Sequence, residues 1–389
     1  LRKLDEQVKY INYNNDNCNL TEFVNEYLKE NYIHNENNVY FVNLNEIERL
    51  YKQWNSRFPE IHPYYAIKCN PDKEIIKVLA NLGANFDCAS IAEIEHVLSI
   101  GISPDRILFA NPCKMIKDMV AAYNKGVKTV TFDNVTELLK VVKLFPDMKL
   151  ILRIFAKDPK AKCQFSHKFG AEKHIWKNIF ETGKNINANI CGVSFHVGSY
   201  AVSPDKYDLA IKDARECYDL ALSYGFKFNL IDIGGGFVSH NLGDIPEAII
   251  EAKNKYFPDE LQCKFIAEPG RYFAETSSYL ATNIIGIREH DENTLDYWIT
   301  DSIYGSFNCI FYDHNIPYPE YIDNGNSKCK ITLYGPTCDG LDKIIELDSY
   351  PKMNLHDWII FKNMGAYTRA GSCNFNGIAF CNPDIIYLL

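Results

Sequence analysis

Residues 64–98 read YYAIKCNPDKEIIKVLANLGANFDCASIAEIEHVL. Tyr64–Ile67 is a short β-type run, after which Ile75, Ile76, Val78, Leu79 and Leu82 recur at helical spacing on one face. Asn85–Asp87 is a second β-type run, and Ile91, Ile94, Val97 and Leu98 again share a helical face. Outward from this pair the rhythm continues through Arg106–Ala110 (RILFA), Lys128–Phe132 (KTVTF), Lys149–Ile154 (KLILRI), Ile190–His196 (ICGVSFH), Asn229–Ile233 (NLIDI) and Lys264–Ala267 (KFIA). Most gaps carry helical periodicity, the longest helix running from Asp205 to Tyr224. Eight strands alternating with helices, at intervals of about 20 to 40 residues, close a (β/α)8, TIM-like barrel of the α/β class. A doubly wound open sheet is the alternative that a strand count alone leaves open.

After residue 277 the pattern changes. YWIT (297–300), KITLY (330–334) and DWIIF (357–361) stand between turn-rich stretches with little helical pattern. That predicts a second, C-terminal antiparallel β domain. The expected division is 43–277 for the barrel, with 1–42 and 278–389 forming the β domain. The asparagine-rich stretches 12–19 and 34–38 read as surface loops.

A chain of 389 residues with 47% hydrophobic and 23% charged residues has ample material for a core. The net charge is −9 and no Lys/Arg run stands out, which argues against nucleic acid or an anionic membrane as partner. The 13 cysteines are scattered, with no CxxC pair and no Cys/His cluster at zinc spacing, so no metal site is expected. No uninterrupted apolar stretch of about 18 residues occurs, and a reduced, cytoplasmic location is expected.

The polar residues that carry chemistry sit where barrel strands end, the edge at which barrel enzymes build their sites. Lys68 follows YYAI, Asp87 ends NFD, Arg153 and His196 come late in their strands, Gly234–Gly236 follow NLIDI, and Glu268 follows KFIA. Singly, each has an ordinary explanation: a solvated lysine, a tight turn, a core histidine, a local ion pair. Gathered at one edge they suggest a site. A desolvated lysine can form a Schiff base. The triple glycine can bare successive backbone N–H groups to a phosphate, and it lacks the GxGxxG and Lys-Ser/Thr signatures of dinucleotide and P-loop sites. Glu268 and Arg271 divide two tasks, a carboxylate to keep a heterocyclic nitrogen protonated and a guanidinium to grip phosphate. His196, before Val197-Gly198-Ser199, can stack on an aromatic cofactor.

YAIKCN (65–70), FDCAS (86–90), SFHVGS (194–199), DIGGGF (232–237) and AEPGR (267–271) resemble the motifs of the barrel-type pyridoxal-phosphate decarboxylases. YGSFNCIFYDH (304–314), GPTCDGLD (335–342) and GAYT (365–368) narrow the resemblance to eukaryotic-type ornithine decarboxylases. CDGLD stands where the diaminopimelate branch usually has CESGD. The resemblance implies the cofactor pyridoxal 5'-phosphate, with Lys68 as its covalent anchor, Glu268 against the pyridine nitrogen and His196 stacked on the ring. It implies Ser199, Gly235, Gly236, Arg271 and Tyr367 at the phosphate, and Asp87, Glu93 and Arg153 around lysine and ring. It further implies Cys338 as proton donor to the α-carbon. Tyr312, Asp313 and Asp339 would bind the substrate, with ornithine expected and lysine or arginine as alternatives.

Cys338 and Asp339 would reach into the partner subunit's site, so a homodimer with shared sites is expected, with Lys168 and Asp342 paired across its interface. A non-catalytic regulatory homologue and a racemase on the same barrel are the other readings. The retained Lys68, Arg271 and Cys338 weigh against the first, and Glu268 against the second. Tyr200, Val238 and Ser302 depart from the family's usual residues without removing a group the chemistry needs.

Overall fold

The computed structural model describes residues 9–13, 19–33, 35–156, 168–198, 203–321 and 325–389. The chain forms two compact units, Glu48–Phe273 and a second made of Leu1–Ile47 with Ala274–Leu389.

Before the first unit come β1 (Lys9–Ile11) and β2 (Val39–Asn43). Then β3 (Ile61–Ala66), β4 (Asn85–Cys88), β5 (Ile107–Phe109), β6 (Thr129–Phe132), β7 (Lys149–Arg153), β8 (Ile190–Ser194), β9 (Leu230–Asp232) and β10 (Lys264–Ala267) close a barrel in that order. Every neighbouring pair is parallel, and β10 closes on β3 through Phe265–Ala267 against Ile61–Pro63. The expected barrel is therefore present, and the open-sheet alternative is excluded.

Local chemistry sets the helix ends. Asp72 caps the helix Lys73–Leu82 by accepting from the Glu74 and Ile75 N–H groups, and Gly83 ends it with φ 107°. Ser90 caps Ile91–Ser99 by accepting from Glu93 N–H. These helices bury Ile75, Ile76 and Leu79, and Ile94 and Val97. Inside the barrel Leu108, Ile151 and Ile266 form a small buried layer with Tyr64, Ala110 and Leu230 packed on it. Trp54 packs on Phe58, Phe237 and Tyr272 with ring centroids 4.4–5.2 Å apart, and its indole N–H donates to Ile61 O at 2.9 Å. Burying each such ring contributes roughly 1.5–3 kcal/mol.

The second unit holds β11 (Ser278–Asp291), β12 (Thr294–Ile299), β13 (Lys328–Tyr334), β14 (Lys343–Pro351), β15 (Trp358–Phe361) and β16 (Asp384–Leu388). The sheet runs β1-β16-β2-β11-β12-β13-β14, with β15 also on β11. The expectation of an antiparallel sheet needs correction, because the sheet is mixed. β2/β11, β11/β12, β11/β15 and β13/β14 are antiparallel, whereas β1/β16, β16/β2 and β12/β13 are parallel. Parallel pairs need long crossovers rather than hairpins. Here the segment 300–327 supplies one, and the two chain ends supply the others by meeting in one sheet.

Candidate active site

In the barrel unit the strand ends converge. β3 stops at Ala66, earlier than the β-type run, and Ile67–Cys69 turn as a 3-10 helix that carries Lys68. Lys68 Nζ lies 2.7 Å from Asp87 Oδ2, with the lysine side chain 43% exposed and the aspartate side chain fully buried. Glu93 accepts from Ala89 N–H at 2.6 Å. Burial pushes the Glu93 carboxyl up, opposed by that hydrogen bond. Arg153, the last residue of β7, lays its guanidinium 5.0 Å from the Phe169 ring.

His196 accepts the Gly198 N–H on Nδ1 at 3.0 Å. Burial, with Arg153 and Lys68 nearby, holds its imidazole well below the usual value. It is a neutral flat ring, suited to stacking. Gly234 has φ 68°, and a Cβ there would meet Phe195 O at 2.2 Å. A Cβ on Gly235 would meet Glu268 O at 2.6 Å and His196 Nε2 at 3.0 Å. Only glycine lets the main chain pass here. Gly236 continues the turn with φ 104°. The buried Tyr207, from the helix Pro204–Ser223, donates to Gly235 O at 3.3 Å. Arg271 is buried just beyond Glu268.

Two groups escaped the sequence reading. Asp232 is completely buried and accepts the Gly234 N–H at 2.9 Å; within DIGGG the glycines had drawn the attention. Tyr207 sits in an ordinary helical pattern with nothing local to mark it.

The set fits a phosphorylated heterocyclic aldehyde. Asp87, Asp232 and Glu268 act on one another as neighbouring acids, with Lys68 and Arg153 as opposing cations. This buried acidic excess favours a ligand that brings positive charge beside Glu268. Burial, with Asp232 and Asp87, pushes the Glu268 carboxyl well up.

The second unit carries its own cluster. Asp342 is buried and accepts from Ser302 Oγ at 2.9 Å, Ile303 N–H at 3.1 Å, Thr337 N–H at 3.1 Å and Thr337 Oγ1 at 2.6 Å. Asp342, expected to face a partner subunit, is thus a buried anchor within its own chain. Lys168 lays its ammonium 5.0 Å from the Phe169 ring. The loop that Asp342 anchors bears Cys338, whose thiol is exposed, and Asp339. Asp339 accepts from Leu341 N–H at 3.0 Å and from the Tyr304 hydroxyl. Those two bonds, the Leu341 one first, hold its carboxyl below the usual range. The Tyr304 ring stacks on Phe375 at 4.0 Å.

Asp313 is buried while its neighbour Tyr312 is 78% exposed. Tyr367 has φ 54°, unusual for a bulky residue, in a loop pinned by Asn308 Nδ2 donating to Thr368 O at 2.6 Å. Ser199 and Tyr200 lie outside the described residues.

A closed parallel barrel with a lysine, a carboxyl, a neutral imidazole and a glycine turn at one mouth defines a cofactor-dependent enzyme scaffold. Residues 44–275 match the family model "Pyridoxal-dependent decarboxylase, pyridoxal binding domain". The chain is 40% identical to ornithine decarboxylase of Rattus norvegicus over 376 residues, covering 90% of this chain and 80% of that one. It is also 40% identical to antizyme inhibitor 2 of Xenopus laevis over 362 residues, covering 88% and 79%. The arginine decarboxylase of Paramecium bursaria Chlorella virus, solved with bound agmatine, superposes with a TM-score of 0.89 at 35% identity over 95% of this chain and 100% of that one. The chain belongs to the pyridoxal-dependent decarboxylases, in the group of the eukaryotic-type ornithine decarboxylases. Its cofactor is pyridoxal phosphate.

No helix among the described residues is long and apolar enough to cross a membrane. No cluster of His, Cys, Asp and Glu among them could hold a metal ion.

Proposed function

We propose that the chain decarboxylates L-ornithine to putrescine and carbon dioxide. The observation that carries this reading is Asp339, a carboxylate kept ionised by Leu341 N–H and the Tyr304 hydroxyl on the loop that also bears Cys338. An anion two bonded partners deep, beside a thiol, suits a substrate with a distal ammonium and an α-carbon that must be reprotonated.

Bound pyridoxal phosphate supplies the electron sink for the bond that breaks. Lys68 would hold it covalently, with Asp87 as the lysine's counter-ion. Glu268 would keep a proton on the ring nitrogen. His196 would stack on the ring, and Gly235, Gly236, Arg271, Tyr367 and Ser199 would bind phosphate. Glu93 and Arg153 would complete the polar surround. Cys338 would return the proton to the α-carbon after carbon dioxide leaves. Asp339, with Asp313 and Tyr312, would hold the distal ammonium. In this reading Cys338 and Asp339 serve the partner subunit's site, so the working unit is a homodimer, with Lys168 beside that boundary.

The viral relative with bound agmatine keeps arginine open as substrate. Lysine, one methylene longer than ornithine, stays open as well, because one methylene changes binding by only about 1–3 kcal/mol. Antizyme inhibitor 2 represents a different reading, a regulatory homologue, against which the retained Lys68, Arg271 and Cys338 count. Release of carbon dioxide from ornithine, lysine and arginine, assayed in parallel with added pyridoxal phosphate, decides among them. We expect the highest kcat/KM with ornithine. A higher value with another amino acid reassigns the substrate, and no release from any supports the regulatory reading.

A further inference from the structure

Asp232 is a buried acid that the reaction as described leaves without a task. It pairs in register with Ile266 of β10 and Ser194 of β8. Ile266 belongs to the barrel's interior layer, and Glu268 lies two residues beyond it. Successive residues of a strand alternate faces, so Asp232 sits in the layer beneath Glu268. One Asp232 oxygen accepts the Gly234 N–H at 2.9 Å. The other has no amide or hydroxyl donor among the described residues, and the Glu268 carboxyl meets the Asp232 carboxylate.

Without a cation beside them, two carboxyl groups in contact do not readily both ionise, because each charge raises the cost of the other; a protonated ring nitrogen would bring the compensating charge. At Glu268 the lowering effects of Lys68 and Arg153 are outweighed by burial and by the acids Asp232 and Asp87; the buried Arg271 lies three residues further on. Asp87 of β4 adds a third acid, and Lys68 is committed to it at 2.7 Å. Arg153 of β7 lies over the Phe169 ring, His196 after β8 is neutral, and Tyr64 of β3 contributes only a phenol. Burial pushes the Asp232 carboxyl up to about 7 and the Glu268 carboxyl well above its usual range.

We propose that Asp232 is a positioning residue: the buried charge that keeps one proton on the group above it, on Glu268 when the site lacks cofactor and on the ring nitrogen when the cofactor is bound. The proposal rests on the reading that Glu268 faces that nitrogen. The balance is simple. The Glu268 O–H bond breaks, an N–H bond to the ring nitrogen forms, and no proton is drawn from solvent. Asp232 carries its charge above about pH 7 and acts on the ring through Glu268.

The test uses holoenzyme loaded with pyridoxal phosphate carrying nitrogen-15 in the ring, whose chemical shift reports protonation directly, followed against pH. With Asp232→Asn the ring should lose its proton at a pH lower by at least about one unit, a ten-fold fall in proton affinity. Asp232→Glu should restore most of the difference. An unmoved midpoint in Asp232→Asn, while Glu268→Gln does alter the ring signal, overturns the inference and spares the role of Glu268. No change in Glu268→Gln either overturns the role of Glu268 and the inference with it. A second measurement needs no variant at Asp232. In wild-type protein stripped of cofactor, infrared difference spectra should show a carboxylic-acid band that disappears when pyridoxal phosphate is added back. Its absence overturns the proposal even if Asp232→Asn fails to fold.

Discussion

The Ser302 hydroxyl lies 2.9 Å from each carboxylate oxygen of Asp342. The same hydroxyl accepts the Tyr304 N–H at 3.1 Å, and the Tyr304 side chain reaches Asp339. One serine thus ties the anchor of the loop 335–342 to the residue that holds Asp339. Glycine at 302 would remove the hydroxyl and leave the backbone free to follow the same path. We expect Ser302→Gly to cost about 1 kcal/mol, read as a lowered Tm. Asp342→Ala should cost more, about 2–4 kcal/mol, because several buried donors lose their acceptor at once. In both variants KM for ornithine should rise while cofactor affinity stays near wild type. Equal loss of both would mean that the loop does not serve the substrate.

Asp339 and Tyr304 should separate by degree. Asp339→Asn removes the charge proposed for the distal ammonium and should raise KM for ornithine on the order of ten-fold or more. Tyr304→Phe removes only the hydrogen bond that orients that charge, so a smaller rise in KM, on the order of a few-fold, is expected. Steady-state kinetics on purified variants give both values. A larger effect in Tyr304→Phe than in Asp339→Asn would make the tyrosine, not the aspartate, the substrate's contact.

Shared sites can be tested by mixing. Lys68→Ala and Cys338→Ala should each be nearly inactive alone. If the two residues serve one site from different subunits, a mixed dimer can hold both lesions in one site and leave the other whole. With random pairing, activity should recover to roughly a quarter of wild type. No recovery, with exchange verified by a tagged subunit, would assign both residues to the same subunit's site.

Asp301 predicts a pH effect on stability. It is buried and accepts the Ser302 and Ser306 N–H groups at 2.7 and 2.8 Å, yet burial pushes its carboxyl up to about 6. The folded protein therefore holds this proton more tightly than the unfolded chain does. The resulting stabilisation is full below the ordinary aspartate value near 4 and disappears as pH rises through about 6, a change on the order of 2–3 kcal/mol. Asp301→Asn should flatten this part of the Tm–pH curve between pH 4 and 7. Parallel curves for variant and wild type would show that the carboxyl titrates as it does in the unfolded chain.

The barrel was legible because its signals are local and repeated: β-type runs are followed by helical faces, several with their own caps, as at Asp72 and Ser90. The site was legible where chemistry falls at a strand end, as with Lys68, His196 and Glu268. What stayed hidden depends on separations no local pattern encodes. Ser302 meets Asp342 across the strand β13, so it read only as a departure from glycine. Asp232 looked like the lead-in to a phosphate turn, since its burial against Glu268 is set by strand register. The mixed sheet escaped because β16 and β2 carry the same β-type pattern whichever direction they run.

The place of β16 bears on the order in which the protein can be made. A ribosome releases the barrel segment as one continuous stretch, so its hydrogen-bonded ring can close without waiting for later residues. The other unit cannot. Its first two described strands are made before the barrel, but the strand that lies between them follows the barrel and comes after every other described strand in chain order. Until then the inner edges of β1 and β2 stand open, offering unpaired backbone to other nascent chains. Late arrival or loss of β16 would therefore harm solubility before it harmed the cofactor pocket. Soluble yield of a truncation lacking Asp384–Leu389 would measure that vulnerability.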